Sequence, residues 1–234
     1  MTKKDEFNRL ALIRGILIIV FYFLGANILS IIFSFFINKS IIPPWGNIYY
    51  LLIHLIIATI LILVYKKNLI IDFKIFKKNY KKDLKESLII YLKGIFIMYA
   101  SNYILISIFK LSSSVNQLEN IELIKNSMIT HSIIIVLIAP FLEEIVFRLS
   151  FNKMTKNPKL YAIITGVIFG TAHVISSLSN PLMILLTIPY SAMGIALGYA
   201  YKKTDTIFSS LAMHMLHNSF SLIIIIIGIL GGII

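Results

Sequence analysis

The sequence predicts an all-α fold, a polytopic membrane bundle of seven or eight transmembrane helices. Of its 234 residues, 58% are hydrophobic and only 14% are charged, whereas a soluble domain is about 45–50% apolar and about 25% charged. A soluble fold of this length could not bury so much apolar surface. Stretches of about 20 apolar residues, the length that crosses a bilayer core of about 30 Å, recur along the chain. We therefore interpret it as an integral membrane protein, and soluble enzyme classes are excluded.

Seven apolar stretches are candidates for these spans. The last is too long for one straight crossing, since it would extend about 43 Å as a helix. It is expected either to tilt or to break near Ser219–Ser221, which would supply an eighth, partial span. We expect a single membrane-embedded domain over 1–234. The predicted spans are Ile13–Ile37, Ile48–Tyr65, Leu88–Phe109, His131–Leu149, Leu160–Ser176, Leu182–Tyr201 and Thr206–Ile234.

Positive charge is distributed unequally between the loops. The chain has 22 Lys and Arg against 10 Asp and Glu, a net charge of +12. Of the 22, 18 lie in loops or at span ends on one side of the predicted spans, 3 lie on the other side, and Lys93 lies inside a span near its basic end. Short basic loops stay in the cytoplasm, so we expect a multi-pass plasma-membrane protein with a cytoplasmic N-terminus. In this setting the basic loops indicate contact with the lipid bilayer and not with nucleic acid. The absence of cysteine excludes thiolate metal sites and cysteine nucleophiles.

The largest basic loop, 66–86, has two interpretations. It holds eight lysines interleaved with apolar residues. Such a pattern is typical of an amphipathic helix on a membrane surface. It is equally compatible with an ordinary charged loop that fixes topology.

Two consecutive carboxylates lie inside a predicted span. Glu143 and Glu144 follow the apolar run IIIVLIAPFL, and an ionised carboxylate near the bilayer centre costs roughly 3 kcal/mol. Arg148 follows Glu144 by four residues and so shares its helical face. We predict a Glu144–Arg148 ion pair, which leaves Glu143 free to face a cavity. A purely structural charge cluster is the alternative.

Two later spans carry side chains that suit hydrolysis. His173 lies in one, and His214 lies in the other with Asn218 one turn further on. Counted from the basic helix ends, Glu143, His173 and His214 lie about 15, 21 and 12 Å deep. The three can therefore meet in one chamber, which we expect to open toward the cytoplasm.

Two kinds of chemistry suit such a chamber. A carboxylate there can act as general base on water, while histidine and asparagine side chains donate hydrogen bonds to an oxyanion. Alternatively, Glu143, His173 and His214 are a possible zinc set with one open position.

Three short motifs carry a family resemblance. They are EExxxR at Glu143–Arg148, FxxxH at Phe169–His173 and HxxxN at His214–Asn218. In this order they resemble the CPBP family of CAAX-type prenyl proteases and bacterial bacteriocin-processing or self-immunity enzymes, formerly grouped as Abi proteins. The resemblance covers a motif-bearing core at about 131–225. It implies an eight-helix-like membrane fold with a chamber open to the cytosol.

The resemblance also implies a glutamate-dependent endopeptidase and a role for each motif residue. Glu143 would activate water, and His173 would help to hold that water or the oxyanion. His214 with Asn218 would form the rest of the oxyanion site. No cofactor is certain and zinc is possible, because the motifs leave the metal requirement open.

Other functions stay open. One is a non-catalytic membrane regulator or bacteriocin self-immunity protein that binds a peptide or a sensor partner. Another is an ion or proton carrier, although no inverted repeat is evident. The Lys, Ile and Asn bias looks bacterial. The expected substrate is therefore a membrane-associated peptide or protein near the cytoplasmic face, and a leader or signalling peptide or a bacteriocin is favoured over a prenylated protein.

Overall fold

The computed structural model describes residues 7–36, 46–111 and 113–232. Within these ranges the chain forms α-helices with short 3₁₀ and π turns and no strand, which confirms the all-α prediction. The predicted span ends at Ile37 and Ile234 lie outside the described residues. The helices are α1 (Arg9–Phe36), α2 (Gly46–Phe109), α3 (Val115–Asn126), α4 (Met128–Ile133), α5 (Ala139–Phe147), α6 (Pro158–Val174), α7 (Thr187–Thr204) and α8 (Ile207–Leu230).

Five helical stretches among the described residues are long and apolar enough to cross a membrane: α1, α2, α6, α7 with the 3₁₀ turn before it, and α8. Because α8 is unbroken, the alternative of a break near Ser219–Ser221 is wrong. The predicted span His131–Leu149 forms α4, a π turn over Ile134–Ile138 and α5, and is not among the five. The number of seven or eight spans stays a prediction.

Two predicted spans are joined in α2, a continuous helix of 64 residues. A straight helix of that length would be about 96 Å long. Instead, the Tyr50 ring lies against α4 at one end of the bundle, and the Asp72 carboxylate accepts the Ile207 N–H, 3.1 Å away, at the start of α8. Leu105 then packs against the C-terminal end of α6, back at the first end. The helix therefore bends back on itself, and the segment 66–86 is helical, so the loop interpretation is wrong.

Several basic segments meet at one end of the bundle, which we name the basic end. Arg14 donates hydrogen bonds to the Ser150 carbonyl, at 2.9 and 3.2 Å, and to the Asn152 side chain, at 3.0 Å. The Lys202 ammonium donates to the Asn152 carbonyl at 2.7 Å. These contacts tie α1 and α7 to the turn between α5 and α6. Which side of a membrane this end faces stays a prediction.

α6 and α7 pack closely through glycine. A Cβ atom on Gly170 would lie 2.7 Å from the Ser191 nitrogen and 2.8 Å from the Thr187 carbonyl oxygen. A Cβ on Gly166 would lie 2.5 Å from the Ile195 nitrogen. Because only hydrogen fits at these positions, the two backbones approach directly. This packing fixes the C-terminal turn of α6, which carries a candidate site residue, against α7.

Candidate active site

Glu144 is buried among polar partners. Its side chain and that of Arg148 are both 0% exposed, and Arg148 Nε lies 3.7 Å from Glu144 Oε2. The predicted ion pair is therefore confirmed. Ser210 Oγ lies 2.6 Å from the same carboxylate oxygen, and His214 Nδ1 lies 3.0 Å from Oε1. A buried charge is tolerated only when it is paired and hydrogen-bonded, and these partners hold Glu144 in place.

Glu143 points toward two histidines instead. Its Oε2 lies 3.5 Å from His214 Nε2 and 3.8 Å from His173 Nε2. The side chain is 16% exposed, and among the described residues this oxygen has no hydrogen-bond partner. The structure thus brings together three predicted site residues from α5, α6 and α8, in agreement with their predicted depths.

The Nδ1 atom of each histidine already faces a hydrogen-bond acceptor. His173 Nδ1 lies 2.9 Å from the Phe169 carbonyl oxygen, and His214 Nδ1 faces the Glu144 carboxylate. Since these oxygens only accept, each Nδ1 carries the hydrogen, and a neutral ring then has a lone pair at Nε2. Glu143 Oε2 lies 3.8 and 3.5 Å from the Nε2 atoms of His173 and His214. A neutral imidazole can accept a hydrogen from water at Nε2, and a protonated one can donate a hydrogen to an oxyanion.

Aromatic rings frame the histidines. The Phe169 ring centroid lies 4.2 Å from that of His173 and 5.8 Å from that of His214. Tyr190 stacks on His173 at 5.2 Å, and its hydroxyl lies 2.8 Å from Ser114 Oγ. These contacts restrict the rotation of both imidazoles.

This geometry agrees with a sequence comparison. Residues 125–220 match the family model described as type II CAAX prenyl endopeptidase Rce1-like. This segment of the chain is thus similar to the CAAX protease family. The matched segment contains all six predicted site residues. The match supports, in general terms, an intramembrane peptidase that acts on a peptide or protein. No curated protein and no solved structure matched the chain.

Asn218, the last residue of the third CAAX-family motif, contacts the backbone of the π turn. Its Nδ2 donates to the Ile135 carbonyl oxygen at 2.9 Å. The resemblance implied that Asn218 completes the oxyanion site with His214. The hydrogen bond seen here goes to the helix entry before Glu143 instead.

The zinc alternative is not supported. Among the described residues, no group of three His, Cys, Asp or Glu side chains is arranged to hold a metal ion.

A cavity of about 310 Å³ lies beside the site, toward the end opposite the basic end. Tyr190, stacked on His173, and His217, one turn from His214, line the wall nearest the site. Among the described residues, no Asp, Glu, Lys or Arg lines it. The lining residues are Met98, Tyr99, Asn102, Ile106, Ser113, Ser114, Gln117, Leu186, Pro189, Tyr190, His217, Ser221, Ile224 and Ile225.

The basic side of the site is filled. This side contains three fully buried residues, Arg148, Leu149 and Phe151. The Tyr161 hydroxyl donates to the Arg148 carbonyl oxygen at 2.6 Å. The turn after α5 packs against α1, where the Phe151 ring lies against Gly15. The cavity beside the site lies on the opposite side, and the opening of the chamber toward the basic loops stays a prediction.

Sequence reasoning missed two residues of the site. Ser210 precedes His214 by four residues on α8, so the helical spacing alone could have indicated it. Tyr190 gave no such signal. Its contact with His173 depends on how α7 packs against α6.

Proposed function

We propose that this chain is a glutamate-dependent intramembrane endopeptidase with Glu143 as its general base. The observation that carries the proposal is the position of Glu143 Oε2, which faces the Nε2 atoms of His173 and His214. The neighbouring acid, Glu144, is occupied by Arg148. One carboxylate is thus available for chemistry while the other is structural.

The reaction would be amide hydrolysis. A water between Glu143 and the two Nε2 atoms would give one hydrogen to Glu143 as its oxygen attacks the scissile carbonyl carbon. The carbonyl oxygen becomes an oxyanion, which a protonated histidine can stabilise through Nε2–H. Glu143 then returns its proton to the amide nitrogen as the C–N bond breaks, giving a carboxylic acid and an amine.

The cavity supports a substrate with an uncharged segment next to the cleaved bond. Because none of its lining side chains is Asp, Glu, Lys or Arg, a charged substrate residue would be buried there without an ionic partner. His214 lies only about 10 Å along α8 from its first residue at the basic end. If that end is cytoplasmic, cleavage takes place in the cytoplasmic half of the membrane. Processing of a bacterial leader or signalling peptide, or of a bacteriocin, fits these features.

The proposal is tested with the purified full chain in liposomes and a panel of membrane-associated peptides, with products identified by mass spectrometry. Glu143→Gln keeps the shape of the side chain but removes the base, so cleavage should fall at least about 10²-fold. Glu122→Gln makes the same chemical change at an exposed position on α3 and should cleave normally. Peptide binding without cleavage by the unaltered protein would favour the regulator or immunity protein instead.

A further inference from the structure

A π turn lies just before the candidate catalytic acid. Ile134–Ile138 adopts it between α4 and α5, and the Ala139 N–H donates to the Ile134 carbonyl, five residues back. Single π turns inside α-helices are rare and occur frequently at functional sites. This one separates the half of the helix that begins at α4 from the half that carries Glu143.

Pro140 leaves a backbone acceptor in this turn without its donor. In the same register the next hydrogen bond would join residue 140 to the Ile135 carbonyl, but proline has no N–H. Asn218 Nδ2 donates to that carbonyl at 2.9 Å. Backbone polar groups inside a membrane bundle must find an internal partner, and α8 supplies it here.

The turn also sets the direction of Glu143. A π turn accommodates one extra residue, so relaxing it to the α register would rotate the two helix halves relative to each other by about 100°. The first half is anchored where His131 Nε2 lies 3.2 Å from Asn120 Oδ1. The second half is anchored by the Glu144–Arg148 pair. The His131–Asn120 and Glu144–Arg148 contacts can form together only while the π turn is present.

We propose that Asn218 is a positioning residue that holds the π turn through the Ile135 carbonyl and so aims Glu143 at His173 and His214. The donor comes from α8, one turn beyond His214, so a single bond also fixes the helix that carries the histidine against the helix that carries the acid. The catalytic part of this inference rests on the proposed function. The bond between Asn218 and the turn does not.

A double-mutant cycle tests the inference. Pro140→Ala restores an N–H that can reach the Ile135 carbonyl from within the helix, so it should make Asn218 redundant. With proline present, Asn218→Ala should lower kcat by about 10²-fold, the scale of a misplaced catalytic group, with KM nearly unchanged. In the Pro140→Ala background, Asn218→Ala should lower kcat by less than about 10-fold. It should also lower the melting temperature by less than it does with proline present.

Two controls accompany the cycle. Asn27 Nδ2 also donates to a helix carbonyl, that of Phe23 at 2.8 Å, but at an exposed position on α1. Asn27→Ala should therefore leave kcat and melting temperature unchanged. If Pro140→Ala does not accumulate as folded protein, Pro140→Ser supplies the same N–H for the cycle.

Two results overturn the inference. An equal kcat loss from Asn218→Ala with and without Pro140→Ala would mean that Asn218 acts on the substrate or oxyanion. A wild-type melting temperature in Asn218→Ala would mean that the bond does not hold the turn. Since melting needs no substrate, the second measurement stands even if Glu143→Gln cleaves normally and the proposed function fails.

Discussion

His214 donates its Nδ1 hydrogen to Glu144 across 3.0 Å, so the opposite ring nitrogen, Nε2, faces Glu143 at 3.5 Å. Two consecutive glutamates thus contact opposite edges of one imidazole. This arrangement is possible because neighbouring helical residues point about 100° apart. One carboxylate fixes the tautomer and orientation of the ring, and the other is left to act on water.

The structural role of Glu144 predicts a large loss of stability on its removal. Glu144→Gln leaves the Arg148 charge unpaired where it is 0% exposed. Breaking a buried ion pair in this way costs about 3–5 kcal/mol. We expect a correspondingly lower melting temperature of the protein in detergent.

A second ion pair in the chain provides the matched control. Lys82 and Glu86 are also four residues apart but lie on the surface, with side chains 76% and 33% exposed. Glu86→Gln should cost no more than about 1 kcal/mol. If both variants melt alike, the burial of the Glu144–Arg148 pair has no energetic consequence and our interpretation of it is wrong.

Close packing of α6 on α7 predicts that Gly170 tolerates no side chain. Gly170→Ala places a Cβ within 2.7 Å of the Ser191 backbone nitrogen and should destabilise the protein by about 1–3 kcal/mol. It should also slow cleavage, because His173 lies one turn further along the displaced helix. On Gly25 of α1, the nearest atom to an added Cβ is 4.0 Å away. Gly25→Ala should be neutral or stabilising by up to about 1 kcal/mol. A lower melting temperature for Gly25→Ala than for Gly170→Ala would contradict the packing argument.

If substrate occupies the cavity beside the site, filling that cavity should block cleavage. Ser221 lines it, so Ser221→Phe should reduce kcat/KM mainly through a higher KM, since Glu143 and the two histidines are untouched. Ile223 lies on the same helix, 52% exposed and away from the cavity. Ile223→Phe should have no effect. Steady-state kinetics on a peptide cleaved by the unaltered protein measure both, and equal kinetics for the two variants would exclude the cavity as the substrate site.

The charge distribution predicts the orientation in the membrane. The chain has no cysteine to remove, so single cysteines can be labelled with an impermeant thiol reagent. Lys203→Cys lies exposed at the basic end and should react only in inverted vesicles, whereas Ser113→Cys, exposed at the opposite end, should react only in intact cells. Labelling in the reverse pattern would place the basic end outside and remove the argument for cleavage in the cytoplasmic half.

The fold class and the centre of the site were predictable from the sequence because the forces behind them act locally. Apolar length determines whether a segment can cross a bilayer. A carboxylate and an arginine four residues apart must lie on one helical face, which is why the Glu144–Arg148 pair could be predicted and is found. Helical rise placed Glu143, His173 and His214 at similar depths, which is why their meeting could be predicted.

Features that depend on contacts between distant elements could not be read from the sequence. The bend of α2 depends on its contacts with α8 and α6, and the position of the cavity toward the end opposite the basic end depends on how the helices pack. The partner of Asn218 was likewise hidden. It depends on a π register in another helix, 83 residues away in the chain. Local sequence thus determined which residues are polar inside the membrane, whereas only the packing of the helices decided what each of them binds.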